Sequence, residues 1–373
     1  YSFVRSLTPH DIEAIAAQLF VELVRRGFTS VAEFHYLRND KDGTPYEDPV
    51  EMARRILKAS ETTGIGLTIL PTLYQASDFG GVKPEPEQRR FLNNVESLIS
   101  DIAILGAEAS GSTVRIGLGL HSLRAVPGDS LSTAIDAARK MDPTIPIHIH
   151  VAEQLREVDR SLSYYGTRPA AWLLDHAPVD KEWCLIHATH IDAAEIAGIS
   201  ASGATVGLCP TTEANLGDGI FPFPEYQNRK GTWAIGTDSH VGRGPASELR
   251  LLEYGQRLKT RTRNVAAGAQ HKSTGRTLLD AAWSGGATAS GRRIGSIVKG
   301  ARADIVILDQ NHPALLGLSE DDALDAWIFS GDETPVSDVF TGGNHVVRQG
   351  RHVAADNVYD SYAEVARNLA KNI

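Results

Sequence analysis

Cysteine, methionine and long apolar runs are scarce in this chain. Its 373 residues include 2 cysteines and 2 methionines. No apolar run reaches the roughly 20 residues that a transmembrane helix needs. Cys184 and Cys209 lie inside strand-like runs, which predicts buried free thiols and not a disulfide framework. Free thiols are typical of a reducing compartment, so we expect a cytoplasmic protein with no membrane partner.

Blocks of positive charge are also absent. The chain has 37 Lys and Arg against 46 Asp and Glu, for a formal net charge of −9. This balance argues against nucleic acid and anionic membranes as partners, whereas an anionic small molecule would need a local basic pocket. The opening residues, YSFVRSLTPHD, show neither a signal-peptide pattern nor an initiating methionine, and we expect the natural start to lie upstream of Tyr1.

Apolar strand-like runs alternate with helix-like runs along most of the chain. Continuous apolar strands separated by helices are typical of a parallel sheet covered on both faces. The predicted strands are 29–36, 65–75, 112–122, 145–153, 182–190, 204–210 and 232–240. The predicted helices include 49–63, 86–106, 129–141, 154–163, 168–176, 246–258 and 276–288, and the stretch 211–231 is polar and contains glycine and proline.

The ends of these strands favour one α/β architecture over another. Seven strands fit an open, doubly wound sheet, or a (β/α)8 barrel with one strand outside this sequence. Tyr36, His121, His150, His187 and Asp238 each fall at or near the carboxyl end of a different strand. Because a barrel gathers such ends at one mouth, we predict a TIM-like (β/α)8 barrel over residues 1–290.

The pattern changes after residue 290. Segments 293–309 and 335–353 alternate apolar and polar residues around glycine turns, which predicts short antiparallel strands. We therefore predict the remainder of a small β-sandwich domain over 291–353. The last segment, 354–373, has the apolar spacing of an amphipathic helix.

The segment HIHVAE, residues 148–153, places ionisable groups in an apolar strand. His148 and His150 are two residues apart, so they lie on the same face of a strand, and Glu153 follows. This pattern fits a metal site in which a nearby carboxylate handles protons. Taken alone, however, H-x-H is a weak signal and favours two structural histidines paired with carbonyl or carboxylate groups.

Further polar residues follow other strands. Asp238 in GTDSH, His187 and His190 in LIHATH, and His121 and Arg124 in GLHSLR all come after apolar runs. Each has an ordinary structural explanation, such as a helix cap, a turn or a surface side chain. Their recurrence at successive strand ends points instead to one site at the barrel mouth.

Six segments carry a family resemblance that extends over essentially the whole chain. The sequence resembles the formimidoylglutamate deiminases, a family in the deaminase branch of the amidohydrolase superfamily. The segments are FTSVAEFHYL, GLGLHSLRAV, HIHVAEQLREVD, WCLIHATHID, GLCPTTEANLGDGIFP and GTDSH. The later segment GSIVKGARADIVILD is similar to the superfamily's β-sandwich return.

The resemblance implies a metal-dependent hydrolase of histidine degradation. Its substrate would be N-formimidoyl-L-glutamate, and its products N-formyl-L-glutamate and ammonia. His150 and Asp238 match metal ligands, and the divalent metal implied is zinc. Glu153 and His187 match the catalytic acid/base pair, with Asp238 as the third catalytic residue.

The resemblance also implies a substrate pocket and an assembly. Tyr36, His121 and Arg124 match substrate-binding positions, with Arg124 suited to grip a carboxylate of the dicarboxylate substrate. The family resemblance further implies a homodimer.

One departure from the family pattern affects the metal site. The family takes two further histidine ligands from an H-x-H at the end of the first barrel strand, and no such motif precedes residue 29. We therefore expect the first strand, its H-x-H and the N-terminal half of the sandwich to lie upstream of Tyr1. Two alternatives stay open: another deaminase of this branch that acts on a guanine- or cytosine-like base, or a non-catalytic barrel if the protein truly starts at Tyr1.

Overall fold

The computed structural model describes residues 4–109, 113–268, 272–331 and 334–371. The chain divides into two compact units. The first comprises residues 1–148, 302–305 and 338–373, and the second comprises 149–301 and 306–337. No helix in the described part of the chain has the length and apolar character needed to cross a membrane.

The first unit begins with alternating helices and parallel strands. Strand β1 pairs in parallel with β2, and β2 pairs in parallel with both β3 and β4. Its elements are α1 (Pro9–Arg25), β1 (Ser30–His35), α2 (Glu51–Thr63), β2 (Gly66–Leu73), a 3-10 turn (Pro86–Gln88), α3 (Val95–Glu108), β3 (Val114–Ile116), β4 (Leu118–Ser122) and α4 (Gly128–Met141).

Local sequence signals explain the first helix. Thr8 and Asp11 form a reciprocal capping box, and Pro9 occupies the first helical position, where its missing N–H costs nothing. Phe20, Val21 and other apolar residues of α1 are buried, and α1 packs against α2. Every residue of β2 is buried, as expected for a parallel strand covered on both faces.

The second unit continues the same alternation. Strand β5 crosses from the first unit into the second, and β6, β7 and β8 pair in parallel in chain order. The elements are β5 (Ile147–Val151), α5 (Leu155–Tyr165), α6 (Pro169–His176), β6 (Trp183–His187), α7 (Ala193–Ser202), β7 (Thr205–Leu208), α8 (Pro210–Leu216), α9 (Phe223–Asn228), β8 (Thr232–Ile235), α10 (Pro245–Thr260) and α11 (Thr274–Ser290).

Close packing of α11 on β8 depends on a glycine. A Cβ at Gly285 would lie 1.8 Å from the carbonyl oxygen of Trp233, so no larger residue fits without moving the helix. Both cysteines are buried and free, as the sequence predicted. Burial raises the pKa of the Cys184 thiol to about 12, which keeps it protonated and inert.

The rest of the chain contributes a small antiparallel sheet and two helices. Strand β10 pairs with β11, and β11 with β12, in antiparallel fashion. The elements are β9 (Ile305–Leu308), α12 (Glu320–Phe329), β10 (Val336–Thr341), β11 (Asn344–Arg348), β12 (Arg351–His352) and α13 (Ala355–Ala370). The predicted antiparallel strands and the closing helix are therefore present, while the domain boundaries at 290/291 and 353/354 stay predictions.

One helix prediction needs correction. Helix 86–106 begins only at Val95, because Asn94 and Ser97 form a capping box there and the buried Arg90 side chain is held by the carbonyls of Asn39 and Leu7. Within 293–309, where short strands were predicted, the structure has the strand Ile305–Leu308. The polar stretch 211–231 overlaps α8 and contains α9.

The parallel α/β architecture was predicted correctly. All seven predicted apolar runs contain strands, and the third is divided into β3 and β4. Closure into a barrel, and a further strand upstream of Tyr1, stay predictions.

Candidate active site

The carboxyl ends of three strands in the second unit have unusual backbone conformations. Ala152 after β5, His187 and Ala188 at the end of β6, and Asp238 after β8 have φ values of 52°, 67°, 48° and 44°. A non-glycine residue in this left-handed region costs on the order of 1–3 kcal/mol, so it persists only where its surroundings fix it. Such residues are concentrated at functional sites, and these mark the predicted strand ends.

His187 lies at the centre of a group of acidic side chains. Its Nε2 atom is 3.7 Å from Oε1 of Glu153 and 3.9 Å from Oδ2 of Asp238. Its Nδ1 atom is 3.3 Å from Oε1 of Glu213, on the other side of the ring. The imidazole is only 1% exposed, whereas the side chain of Asp238 is 36% exposed and that of Glu153 is 15% exposed.

The surroundings of His187 act on its pKa in opposite directions. Burial lowers the pKa, because it disfavours the charged imidazolium. The hydrogen bond with Glu213 and the negative charges of Glu153, Glu213 and Asp238 raise it, and the net effect is a pKa above the ordinary value.

His150 joins this group through its ring. The imidazoles of His150 and His187 are stacked, with centroids 5.8 Å apart and planes inclined by 28°. His148 is different: it is buried and packs edge-on against Phe34 at 5.9 Å. The H-x-H motif therefore places one histidine beside His187 and the other in a ring contact of the core.

The turn that carries Glu153 is held by a second glutamate. Glu157, on the first turn of α5, accepts hydrogen bonds from the backbone N–H groups of Ala152 (3.1 Å) and Glu153 (3.2 Å). Glu157 is 3% exposed. It thus satisfies two amides of the strained turn and fixes the direction in which Glu153 leaves the backbone.

The hydroxyl of Thr212 contacts the backbone of both residues that flank Asp238 in sequence. The Oγ1 atom of Thr212 accepts a hydrogen bond from the backbone N–H of Ser239 at 3.0 Å and lies 3.1 Å from the carbonyl oxygen of Thr237. Both neighbours of Asp238 in sequence are therefore tied to α8, and these ties stabilise its left-handed conformation.

A buried carboxylate on α10 is hydrogen-bonded to Thr211, the residue before Thr212. Glu248, on α10, is 0% exposed and accepts hydrogen bonds from the N–H of Thr211 (2.9 Å) and from its Oγ1 (2.6 Å). Burial raises the pKa of Glu248 to about 7; the bonds from Thr211 oppose this shift, and the negative charges of Glu213 and Asp238 add to it.

The donor types around His187 suit a divalent cation, but they form an incomplete set. Imidazole nitrogen and carboxylate oxygen are ligands that zinc and similar ions accept. Among the described residues, no group of three or more histidine, cysteine, aspartate or glutamate side chains is arranged to hold a metal ion. His150 and Asp238 supply donor types that a divalent cation accepts, and two such donors do not make a complete ligand set.

The three predicted substrate-binding residues come together in the first unit. Tyr36 and His121 make an edge-to-face contact with ring centroids 5.6 Å apart. Tyr74 packs on His121 at 4.6 Å, and Phe91 packs on Tyr36 at 5.1 Å. The result is an aromatic cluster with polar hydroxyl and imidazole groups at its edge.

Arg124 influences this aromatic cluster through its charge. Burial lowers the pKa of His121 to about 3, and the positive charge of Arg124 acts in the same direction. His121 is consequently a neutral hydrogen-bonding group at physiological pH, with its Nδ1 atom 3.1 Å from Oγ of Ser122.

The structure therefore gathers the predicted residues into two groups, one in each unit. His150, Glu153, His187 and Asp238 form the group in the second unit, and Tyr36, His121 and Arg124 form the group in the first. Sequence reasoning missed Thr212, Glu213, Glu157 and Glu248. Two of these lie in GLCPTTEANLGDG, whose position after an apolar strand was the available signal.

Comparison with known proteins decides the family. A model described as the amidohydrolase family matches residues 1–346. The chain belongs to the amidohydrolase family. As the sequence predicted, this amidohydrolase is therefore a hydrolytic enzyme.

Individual relatives agree with this assignment. The amidohydrolase is 45% identical over 369 residues to formimidoylglutamate deiminase from Pseudomonas aeruginosa. The alignment covers 99% of this chain and 81% of that protein. A crystal structure of an amidohydrolase from Brucella melitensis superposes with a TM-score of 0.92 at 44% identity, over 99% of this chain and 81% of that one.

A more distant structure supports the fold. The crystal structure of an adenosine deaminase from Xanthomonas campestris with bound zinc has a TM-score of 0.80 at 20% identity. The match covers 99% of this amidohydrolase and 78% of that chain.

Proposed function

We propose that this amidohydrolase hydrolyses N-formimidoyl-L-glutamate to N-formyl-L-glutamate and ammonia, a step in histidine degradation. The observation that carries the proposal is the grouping of His150, Glu153 and Asp238 around the imidazole of His187. The 45% identity with formimidoylglutamate deiminase from Pseudomonas aeruginosa supports this choice of substrate.

The reaction replaces one nitrogen of an amidine by oxygen. The oxygen of water forms a bond to the formimidoyl carbon, and the bond from that carbon to the terminal nitrogen breaks. Both protons of water go to the terminal nitrogen, which leaves as ammonia, or as ammonium when the amidine was already protonated, and the N-formyl group remains on glutamate. The chain must therefore supply a proton acceptor for water and a proton donor for nitrogen.

The carboxylates and the imidazole suit these tasks. We assign Asp238 as the acceptor of the proton from water. Glu153 donates a proton to the leaving nitrogen and, while ionised, pairs with the positive amidinium. The Nε2 atom of His187 lies beyond direct hydrogen-bond distance from both carboxylates, at 3.7 and 3.9 Å, and we assign it to orient the attacking water by accepting a hydrogen bond from its O–H group.

We propose that His150 and Asp238 hold one divalent metal, with zinc as the preferred ion. Bound in such a site, a divalent cation lowers the pKa of water enough to provide a nucleophile near neutral pH. Catalytic zinc usually keeps three protein ligands, so His150 and Asp238 would make up only part of the ligand set.

We assign Tyr36, His121 and Arg124 to binding the carboxylates of the substrate. The planar guanidinium of Arg124 offers two parallel donors to a carboxylate. Tyr36 offers a hydroxyl, and the neutral His121 offers one donor or acceptor without repelling a cationic amidine. Such a local group also explains how a chain with a net charge of −9 binds a dicarboxylate.

Three further features complete the proposal. We expect the parallel sheet to close into a TIM-like barrel, the enzyme to act as a homodimer, and its location to be the cytoplasm. Size-exclusion chromatography with light scattering tests the homodimer directly, and a monomeric mass would contradict it.

Ammonia release from three compounds tests the proposed activity. N-formimidoyl-L-glutamate should release ammonia, whereas guanine and cytosine should not. Release from a base in place of formimidoylglutamate would favour the alternative deaminase. Asp238→Ala should abolish release, while Asp175→Ala, which removes an exposed aspartate of α6, should leave it unchanged.

Metal content separates an enzyme from a non-catalytic barrel. Elemental analysis of the purified protein should find close to one divalent ion per chain, and Asp238→Ala should lose it. No bound metal and no turnover after zinc addition would contradict the proposed hydrolysis.

A further inference from the structure

The two ring nitrogens of His187 have different surroundings. Nε2 faces Glu153 and Asp238, and both of these residues take part in the proposed reaction. Nδ1 faces Glu213, which has no role in that reaction. In a neutral imidazole, one nitrogen carries a proton and the other does not, and the partner of one nitrogen decides the state of the other. The state of Nε2 therefore depends on what Glu213 does at Nδ1.

One oxygen of Glu213 serves two partners. Oε1 accepts a hydrogen bond from the backbone N–H of Cys209 at 2.9 Å and lies 3.3 Å from Nδ1 of His187. A backbone N–H can only donate, so this oxygen acts as an acceptor toward Cys209. A carboxylate oxygen in that role favours a proton on Nδ1 of His187 as its second donor.

The position of Glu213 is fixed by its own backbone as well. Its N–H donates to the carbonyl of Cys209 at 2.9 Å, and its carbonyl accepts from the N–H of Asp218 at 2.9 Å. The residue is 5% exposed. Glu213 is thus held at both backbone and side chain, in the first turn of α8, and can hold His187 in one orientation.

We propose that Glu213 is a positioning residue that keeps the proton of neutral His187 on Nδ1 and aims Nε2 at the reacting atoms. This inference rests on the proposed function only in that it concerns the same site. Glu213 touches neither substrate nor reacting atoms in this account, and its effect passes entirely through the imidazole of His187.

Two substitutions separate positioning from charge. Glu213→Gln can keep an oxygen where Oε1 now lies, so it preserves an acceptor for both Cys209 and His187. Glu213→Leu has a similar volume but offers no acceptor. If Glu213 positions His187, the glutamine variant retains most of the turnover and the leucine variant does not.

The kinetic signature is specific. For Glu213→Leu, kcat should fall by about 10- to 100-fold, the range typical when a histidine loses its orienting partner. KM should change by less than about threefold, because no substrate contact is removed. Equal kinetics for the leucine variant and the unmodified enzyme would overturn the proposal.

Glu253 provides a matched control. It is also a buried glutamate of the second unit, 0% exposed, and its carboxylate accepts hydrogen bonds from the N–H groups of Val265 (2.8 Å) and Ala266 (2.9 Å). Glu253→Leu should lower the melting temperature without selectively lowering kcat of the folded enzyme. An equal loss of kcat in both leucine variants would mean that Glu213 acts only through stability.

Nitrogen NMR of histidine-labelled protein tests the inference without substrate. The ¹⁵N shift of each ring nitrogen distinguishes a protonated from a bare nitrogen, and His187→Gln identifies the relevant signal. At a pH high enough for the imidazole of His187 to be neutral, Nδ1 should be protonated and Nε2 bare in zinc-loaded and in metal-free unmodified protein. A bare Nδ1 would overturn the proposal even if the leucine variant failed to fold.

The NMR result and the substrate assay can fail independently. A protonated Nδ1 that becomes bare or mixed in Glu213→Leu, but not in Glu213→Gln, supports the positioning role. That result would stand even if formimidoylglutamate released no ammonia, in which case only the proposed substrate would be wrong. Unchanged ¹⁵N shifts in Glu213→Leu would overturn the role of Glu213 whatever the substrate.

Discussion

Glu157 accepts a hydrogen bond from the backbone N–H of Glu153, with its Oε2 atom 3.2 Å from that amide nitrogen. Its second oxygen takes the amide of Ala152, whose φ is 52°. A carboxylate is the one side chain at this position that accepts both bonds at once. The direction of the proposed proton donor is therefore set from the first turn of the following helix.

Glu157→Gln should loosen this turn. The amide group of glutamine accepts only one of the two bonds and presents a donor to the other N–H. An unsatisfied buried N–H costs about 1–3 kcal/mol, so we expect a lower melting temperature and a lower kcat. Steady-state kinetics and thermal unfolding measure both effects. Asp159→Asn, an exposed change on the same helix, should alter neither, and normal kcat in Glu157→Gln would show that Glu153 needs no such support.

Glu248 should make stability depend on pH. Its pKa in the folded protein is about 7, against an ordinary value of 4.5. As pH rises from about 4.5 to 7, the unfolded chain loses this proton first, so the folded state is progressively destabilised; above pH 7 the loss is complete. A shift of this size corresponds to roughly 3 kcal/mol. Replacement of the Glu248 carboxyl group by an amide should abolish this part of the pH dependence of stability.

The test compares melting temperatures of metal-free protein from pH 4 to 8. Relative to that of the unmodified protein, the melting temperature of Glu248→Gln should rise between about pH 4.5 and 7, and the difference should stay constant above pH 7. Glu225→Gln, an exposed change on α9, serves as the control. Parallel curves for Glu248→Gln and the unmodified protein would mean that Glu248 ionises normally despite its burial and the nearby Glu213 and Asp238.

His121 should stay neutral throughout the physiological range. Burial, with the charge of Arg124 in addition, lowers its pKa to about 3. The proton NMR signal of its ring should therefore hold a constant chemical shift from pH 8 to pH 5, while the other histidine signals serve as an internal reference. A midpoint near the ordinary value of 6.5 would show that this imidazole is accessible to water and becomes charged.

Arg124 should contribute to binding of carboxylates more than to chemistry. Loss of a charge-assisted hydrogen bond costs about 1.5–3 kcal/mol, so Arg124→Ala should lower kcat/KM for formimidoylglutamate by about 10- to 100-fold, mainly through KM. A formimidoyl amine without carboxylates should show no such loss. Arg115→Ala is the matched control, because it removes a guanidinium on β3 that is paired with Asp142. Equal losses for both substrates would remove Arg124 from carboxylate binding.

The sequence was most informative where polar residues interrupt apolar strands. Because strands of a parallel sheet are buried, His150, His187 and Asp238 stood out against their neighbours, and the structure places His150 and Asp238 beside the imidazole of His187. The helix boundary at Val95 was harder, since Arg90 is held by carbonyls 51 and 83 residues away. No local pattern encodes such contacts.

Supporting residues were the least predictable part of the site. Glu213 and Glu157 look like ordinary acidic residues near helix starts, which are common. Their roles depend on which strand end lies beside them: the partner of Glu213 is 26 residues away, and Glu157 acts on a turn whose left-handed backbone is invisible in the sequence. A strand-end motif predicts the reacting side chains, whereas the groups that orient them emerge only from the fold.

The products formed from formimidoylglutamate labelled with ¹³C at the formimidoyl carbon test the central claim most directly. Carbon NMR should show the label only in N-formylglutamate, with one equivalent of ammonia released, because water displaces the terminal nitrogen. Label in formamide together with free glutamate would show cleavage of the other carbon–nitrogen bond, and unchanged substrate in the presence of zinc would show no hydrolysis; either result would contradict the proposed reaction.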